Sequence, residues 1–167
     1  MKRSCGFTLI ELLIVISIIL IIAAISVPAL VHAKINADEA ATTAAIRTIN
    51  TAEVTYQATY PMQGFAATLA NLGGAEPCKR SAETACIIDQ GLAAGTKSGY
   101  NFVAIGGNPA SGANTSYVVS AAPVAYERTG IQLFCSTEKN IIRHDANTSG
   151  STTPASAEQC LNFAAMP

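Results

Sequence analysis

Few of the 167 residues are of types that do chemistry, and one of those few stands where a charge is costly. Glu11 opens an apolar stretch that runs from Leu12 to Val31 with no further charged residue. An acid at the centre of a membrane helix costs about 2.5–3.5 kcal/mol on the insertion scale, and less near a helix end; one kept against that cost usually has a partner. The other reactive side chains do not form a set. His32 and His144 stand far apart, and neither joins a cysteine or serine in a recognisable nucleophile motif. The glycines fall in neither G-x-x-x-x-G-K-S/T nor G-x-G-x-x-G, the patterns that cradle phosphates. Asp145, Asn147, Thr148 and Ser149 cluster locally, but one acid among amides and hydroxyls makes a weak calcium site and reads as a polar loop. The expectation is a protein that is not an enzyme and holds no cofactor or metal.

Five cysteines remain to be placed: Cys5, Cys78, Cys86, Cys135 and Cys160. Cys5 lies in the basic start of the chain, and the other four follow the apolar stretch. C-x7-C followed by C-x24-C does not match the short ligand pairs of a zinc site. An even count beyond a membrane segment reads as two disulfides in an oxidising compartment. Charge excludes another class. The formal net charge is -1 and Lys79-Arg80 is an isolated basic pair, whereas phosphate-backbone binding needs clustered Lys and Arg. Direct nucleic-acid binding is not expected.

Half of the residues are hydrophobic and only 13% are charged, against roughly a quarter charged in ordinary soluble domains. The excess lies between Leu12 and Val31. Twenty residues in a helix span about 30 Å, the thickness of a hydrocarbon core. Lys2 and Arg3 would hold the amino-terminal side in the cytoplasm, which puts the carboxyl-terminal side outside it. Three processing fates compete. Val31-His32-Ala33 has the look of a secretory cleavage site, but the apolar run exceeds the usual ~7–15 residues and an acid sits at its entry. A lipoprotein signal at Cys5 fails because the apolar stretch follows the cysteine. The third fate is cleavage between Gly6 and Phe7, which leaves the helix on the mature chain.

The stretch Gly6-Phe7-Thr8-Leu9-Ile10-Glu11-Leu12-Leu13 resembles the processing signature of type IV pilins and type II secretion pseudopilins, and the resemblance extends through Pro28 to about Tyr60. It implies that a prepilin peptidase cuts after Gly6 and that Phe7 becomes the N-methylated terminus. Gly6 has no side chain to obstruct a protease at the backbone. Loss of Lys2 and Arg3 would leave 8 of 10 basic residues against 11 acidic ones, a charge of -3. The resemblance gives Glu11 a partner, the new amine of Phe7. Within one helix it is four residues away; between neighbouring helices the pair would set their axial register. Pro28 has no N–H, so the carbonyl of Ala24 loses its helical partner. A bend or a local loosening is expected there, beside the small residues Ala23, Ala24 and Ser26 that ease helix packing.

The helix should continue past the membrane. Ile35, Ala41 or Thr42, Ala45, Ile46, Ile49, Ala52, Val54 and Tyr56 recur near the spacing of one helical face, with Lys34, Asp38, Glu39, Arg47 and Glu53 mainly elsewhere. Tyr60-Pro61 is the expected stop. Phe65 to Leu72 is a short helical candidate closed by Gly73-Gly74. Strands are expected at Gly99–Ile105, Ser116–Ala122, Gly130–Ser136 and Asn140–His144, with a loop over Gly106–Thr115 and a turn at Thr137-Glu138-Lys139. The fold class is α+β: a long amino-terminal helix, its second half packed on a small antiparallel sheet. The divisions are a leader over 1–6, the membrane or filament-core half of the helix over 7–31 and its amphipathic half over 32–60. A connecting region over 61–98, the sheet over 99–144 and a disulfide-tethered loop over 145–167 follow.

That last segment, rich in Thr, Ser and Ala, would be disordered alone. Four cysteines allow three pairings. Cys78–Cys86 with Cys135–Cys160 joins neighbours in sequence, and a carboxyl-terminal disulfide loop is also similar to that of many type IV pilins. The Cys135–Cys160 bridge would close a 26-residue loop, worth on the order of 3–4 kcal/mol in the chain-entropy model. The resemblance implies a homo-oligomeric helical filament, raised from the bacterial inner membrane by an assembly platform and exposed outside the cell or in the periplasm. Tyr56-x3-Tyr60-Pro61-x2-Gly64-Phe65 resembles the segment after the helix in major pseudopilins, which keeps a type II secretion pseudopilin as the alternative. Cleavage after Ala33 would instead free a secreted or membrane-tethered binding domain.

Overall fold

The computed structural model describes residues 7–110 and 112–166, so Lys2, Arg3, Cys5 and the expected cleavage residue Gly6 lie outside the described residues. Helix α1 runs Leu9–Thr59. The chain divides after Lys34 into two compact units, the second of which is the head.

Within the head, α1 buries Ile35, Thr42, Ala45, Ile46, Ile49, Ala52, Glu53 and Tyr56. These positions recur every three or four residues, the spacing of one helix face. Ile46, Ile49 and Tyr56 join Tyr100, Phe102, Tyr117, Val119 and Phe134 from the sheet in one core. Four residues differ from the expected stripe, and two of them, Thr43 and Asn50, are buried polar side chains that it did not contain. Val54 is 48% exposed, whereas Glu53 is fully buried. Glu53 follows Ile49 by four residues and precedes Tyr56 by three, so the helix puts it on the core face despite its charge. Its Oε2 accepts the Ala66 N–H at 2.9 Å.

The sheet has six antiparallel strands in sequence order: β1 Thr96–Lys97, β2 Tyr100–Ala110, β3 Ala113–Pro123, β4 Leu133–Thr137, β5 Arg143–Asp145 and β6 Ala164–Ala165. With the helix it makes the α+β, pilin-like architecture. Several boundaries move, each for a visible reason. The expected loop over Gly106–Thr115 is mostly ladder, because Gly107 pairs with Ser116 and Pro109 with Asn114. β4 begins at Leu133 rather than Gly130: the N–H groups of Ile131 and Gln132 donate to Glu39 Oε1, at 2.9 and 3.0 Å, instead of to a strand. β5 begins at Arg143 rather than Asn140, since Asn140 closes a turn onto the Thr137 carbonyl with a left-handed φ of 57°. Helix α2 is only Leu69–Leu72; Phe65 and Ala66, expected to be helical, give their N–H groups to Asn114 and Glu53. Helix α3, Gln90–Ala93, is capped by Asp89, whose carboxylate accepts the Leu92 N–H.

The segment after β5 is ordered by three devices. Asn147 is buried, and its side chain donates to the carbonyls of Ile131 and Ser151 and accepts the Ser151 N–H. Ser156 and Gln159 form a capping box that starts helix α4, Ala157–Asn162. Cys160 on α4 is bonded to Cys135 on β4. Val118, Cys135 and Cys160 form a second small core, with Phe163 against it. β3 is therefore buried on both faces from Tyr117 to Pro123, Tyr117 toward the helix and Val118 toward the disulfide.

Candidate processing and assembly site

The site expected from the sequence is built on the first turn of α1. Thr8 is the residue before the helix and Glu11 the third residue within it. The Thr8 hydroxyl donates to Glu11 Oε2 at 2.7 Å, the Thr8 N–H donates to the same oxygen at 2.9 Å, and the Glu11 N–H donates back to Thr8 Oγ1 at 3.3 Å. This is a reciprocal capping box, which satisfies N–H groups that have no partner inside a helix. A negative charge in the first turn also matches the positive end of the helix dipole. The expected pairing of Glu11 with the Phe7 amine leaves Thr8 out, although Thr-x-x-Glu ahead of an apolar run is itself the signal for such a box.

The box leaves the carboxylate partly available. Both Thr8 bonds fall on Oε2, and the group is exposed. Phe7 is 85% exposed, and its nitrogen becomes a cationic amine only if the bond to Gly6 is cut. In the uncleaved chain Glu11 is thus a cap, and a carboxylate already oriented at the terminus where a positive charge would arise.

Beyond this turn the first unit presents apolar side chains on all sides. From Leu9 to Val31 its Leu, Ile and Val residues are 43–82% exposed. An 18-residue window has a mean hydropathy of 3.0 with none of it buried, long and apolar enough to cross a membrane by length and composition. A helix apolar all round has no face suited to water and belongs in lipid or inside a larger assembly. Pro28 lies inside this stretch, and α1 is continuous through it. Within the stretch the Ser17 hydroxyl donates to the Ile14 carbonyl at 2.8 Å.

The remaining candidates lie apart from this turn. Cys78 is bonded to Cys86, and Cys135 to Cys160. The first bridge is half-buried; the second is fully buried. His32 is exposed on α1, and His144 lies in β5 with a buried Nδ1 that makes no hydrogen bond. Asp145 spends its Oδ1 on the Asn147 N–H at 2.7 Å, so the polar cluster at 145–149 serves the loop's own folding. Among the described residues no group of three or more His, Cys, Asp or Glu is placed to hold a metal ion. The titratable side chains shifted furthest serve the core. Burial, reinforced by Glu39, pushes the Tyr100 phenol up; burial, reinforced by Glu53 and Glu138, does the same to Tyr117. Tyr117 donates to Asn50 Oδ1 at 3.2 Å, and Asn50 donates to Ser136 Oγ at 2.9 Å, tying helix to sheet.

No curated protein and no solved structure gives a significant match to the chain. Residues 1–27 match the family model of the prokaryotic N-terminal methylation motif. With that match on an exposed apolar helix whose first turn presents Glu11, the chain carries the class III signal of type IV pilins and pseudopilins.

Proposed function

We propose that this chain is the structural subunit of a type IV pilus filament. A prepilin peptidase removes residues 1–6 and Phe7 is N-methylated. The precursor waits in the inner membrane with its head outside the cytoplasm. The helix then leaves the bilayer for a filament core, where Glu11 pairs with the Phe7 amine of a neighbouring copy. The observation that carries this reading is the methylation motif on a helix whose apolar surface is exposed all round from Leu9 to Val31. That surface needs lipid before assembly and other copies of itself afterwards, and a buried carboxylate–amine pair would fix the register between them. On this reading the energy of assembly comes from outside the subunit.

One feature of the head supports reading the chain as a pilin rather than a type II secretion pseudopilin. Its carboxyl-terminal segment is stapled over the sheet by Cys135–Cys160, a device suited to a filament exposed to the medium. The test is the amino terminus and intact mass of the mature protein, followed by the phenotype of a deletion. N-methylated Phe7 and loss of long surface filaments are expected. A mature chain starting at Lys34 would sink the filament reading in favour of a secreted or tethered binding domain. Normal filaments with failed exoprotein secretion would make it a pseudopilin.

A further inference from the structure

The segment 60–68, which leaves α1 and leads to α2, is held in the head from two sides. On the sheet side the Phe65 N–H donates to the Asn114 carbonyl at 3.0 Å, Asn114 Nδ2 donates to the Phe65 carbonyl at 3.0 Å, and the Gly106 N–H donates to the Ala67 carbonyl at 3.1 Å. Two glycines permit this closeness. Gly64 has a left-handed φ of 72° and lies against the Asn114 backbone, and a Cβ on Gly106 would overlap the Ala66 carbonyl. On the helix side the Ala66 N–H donates to Glu53 Oε2 at 2.9 Å.

The helix-side anchor is an unusual choice. Glu53 is fully buried, and its second oxygen, Oε1, is buried without a hydrogen-bond partner. The titratable groups that face it are Tyr56 on its own helix and Tyr117 on β3. Farther out, Glu83 acts on Tyr56 from the loop after Cys78, and Glu138 acts on Tyr117 from the turn after β4. None of these is a cation. Among the described residues the chain's ion pair, Lys97 with Asp89, involves neither Glu53 nor segment 60–68. A buried carboxylate with one oxygen unpaired and no counter-charge is far costlier than the neutral acid. The group can reach water by moving the backbone it holds.

We propose that Glu53 is a proton-operated latch: when neutral it keeps segment 60–68 closed on α1, and when ionised it favours release of that segment to water. Burial pushes its carboxyl up to about 7, with the Ala66 N–H pulling the other way. In the released state it would titrate near the ordinary glutamate value of 4.5. Between those values the closed form holds a proton that the open form has lost, so each rise of one pH unit favours opening roughly tenfold, up to about 300-fold in all. Below the lower value and above the upper one the balance is flat. The latch belongs to the head alone and does not depend on the filament reading.

Amide exchange of Phe65, Ala66 and Ala67, measured by NMR on the full chain in detergent micelles from pH 5 to pH 8, tests it. After division by the rates of unstructured amides, the wild type should open roughly a hundredfold more at pH 8 than at pH 5, levelling above pH 7. Glu53→Gln, which keeps an acceptor for Ala66 but cannot ionise, should stay flat. A flat wild type, or the same rise in Glu53→Gln, would overturn the latch. The carboxyl carbon of Glu53 gives a second reading that needs no variant. Its midpoint should fall near 7, and one near 4.5 would overturn the proposal even if Glu53→Gln did not fold.

Discussion

Helix α1 carries two regions of opposite habit. Residues 9–31 hold exposed apolar side chains on every side among the described residues. Residues 35–59 confine burial to one face, which the sheet of the same chain covers. The second region has its partner built in, so the head can be stable as a single copy. The first has none, so it requires lipid or other copies. Their polar residues follow the same division. Glu53 is turned inward and fixed to Ala66, whereas Glu11 is exposed, capped by Thr8 and free to accept a charge from elsewhere.

The sharpest way to break this comparison is Glu11→Val. If Glu11 is a contact between copies, the variant inserts and is cleaved normally, yet filaments fall to nothing. Sheared surface fractions and the mature amino terminus, read together, check both halves. Normal filaments from this variant would leave Glu11 as a cap and no more. The next largest effect lies in the head. Removing Cys135–Cys160 by a double change to alanine should cost about 3–5 kcal/mol, from a long closed loop and the loss of buried sulfur contacts. Removing the shorter, half-buried Cys78–Cys86 should cost less, about 2–3 kcal/mol. Urea unfolding of the full chain in detergent distinguishes them, and equal costs would mean that packing over β3 adds nothing to the longer bridge.

The chain's legible parts are those where the signal is local. The apolar run, the acid at its mouth and the Gly6–Phe7 signature are contiguous, and so were readable as a methylation motif on a helix long enough to cross a membrane. The sheet was readable in class but not in extent. Gly107, Pro109 and Asn114 have the composition of a loop, yet each finds a ladder partner across the hairpin, and pairing outweighs residue type once the register is set. The periodicity puts Glu39 and Glu53 mainly off the apolar face. Their roles depend on the N–H groups of Ile131, Gln132 and Ala66, and the first two lie more than ninety residues away along the chain. No periodicity contains that information. Helix α4 was missed although Ser156-x-x-Gln159 marks its start, because six residues are too few to carry a period of their own.

A smaller effect should follow from pH, and only in the second region. Glu53 has its carboxyl pushed up to about 7 by burial, above its unfolded value. Its contribution is therefore fully present below the unfolded value and is lost as pH rises through about 7, a total of about 3–4 kcal/mol. Denaturation midpoints should fall between pH 5 and pH 7.5 in the wild type and change less in Glu53→Gln. A difference of opposite sign would mean that Glu53 is ionised in the folded head.

The smallest effect separates the two roles the structure leaves with Glu11. Thr8→Val removes the hydroxyl that both donates to Oε2 and accepts the Glu11 N–H, while leaving the Thr8 backbone donor and the carboxylate in place. As a cap, the side chain holds only the first turn. Its loss should raise amide exchange at Glu11 a few-fold, with the rest of α1 unaffected. The carboxylate would remain available to a neighbouring amine, so filament yield should drop modestly and not disappear. If Thr8→Val abolished filaments as fully as Glu11→Val, assembly would depend on the shape of the first turn, and the charge of Glu11 would matter through Thr8. If it changed nothing, the box would be a property of the uncleaved chain alone, given up once Phe7 becomes the terminus.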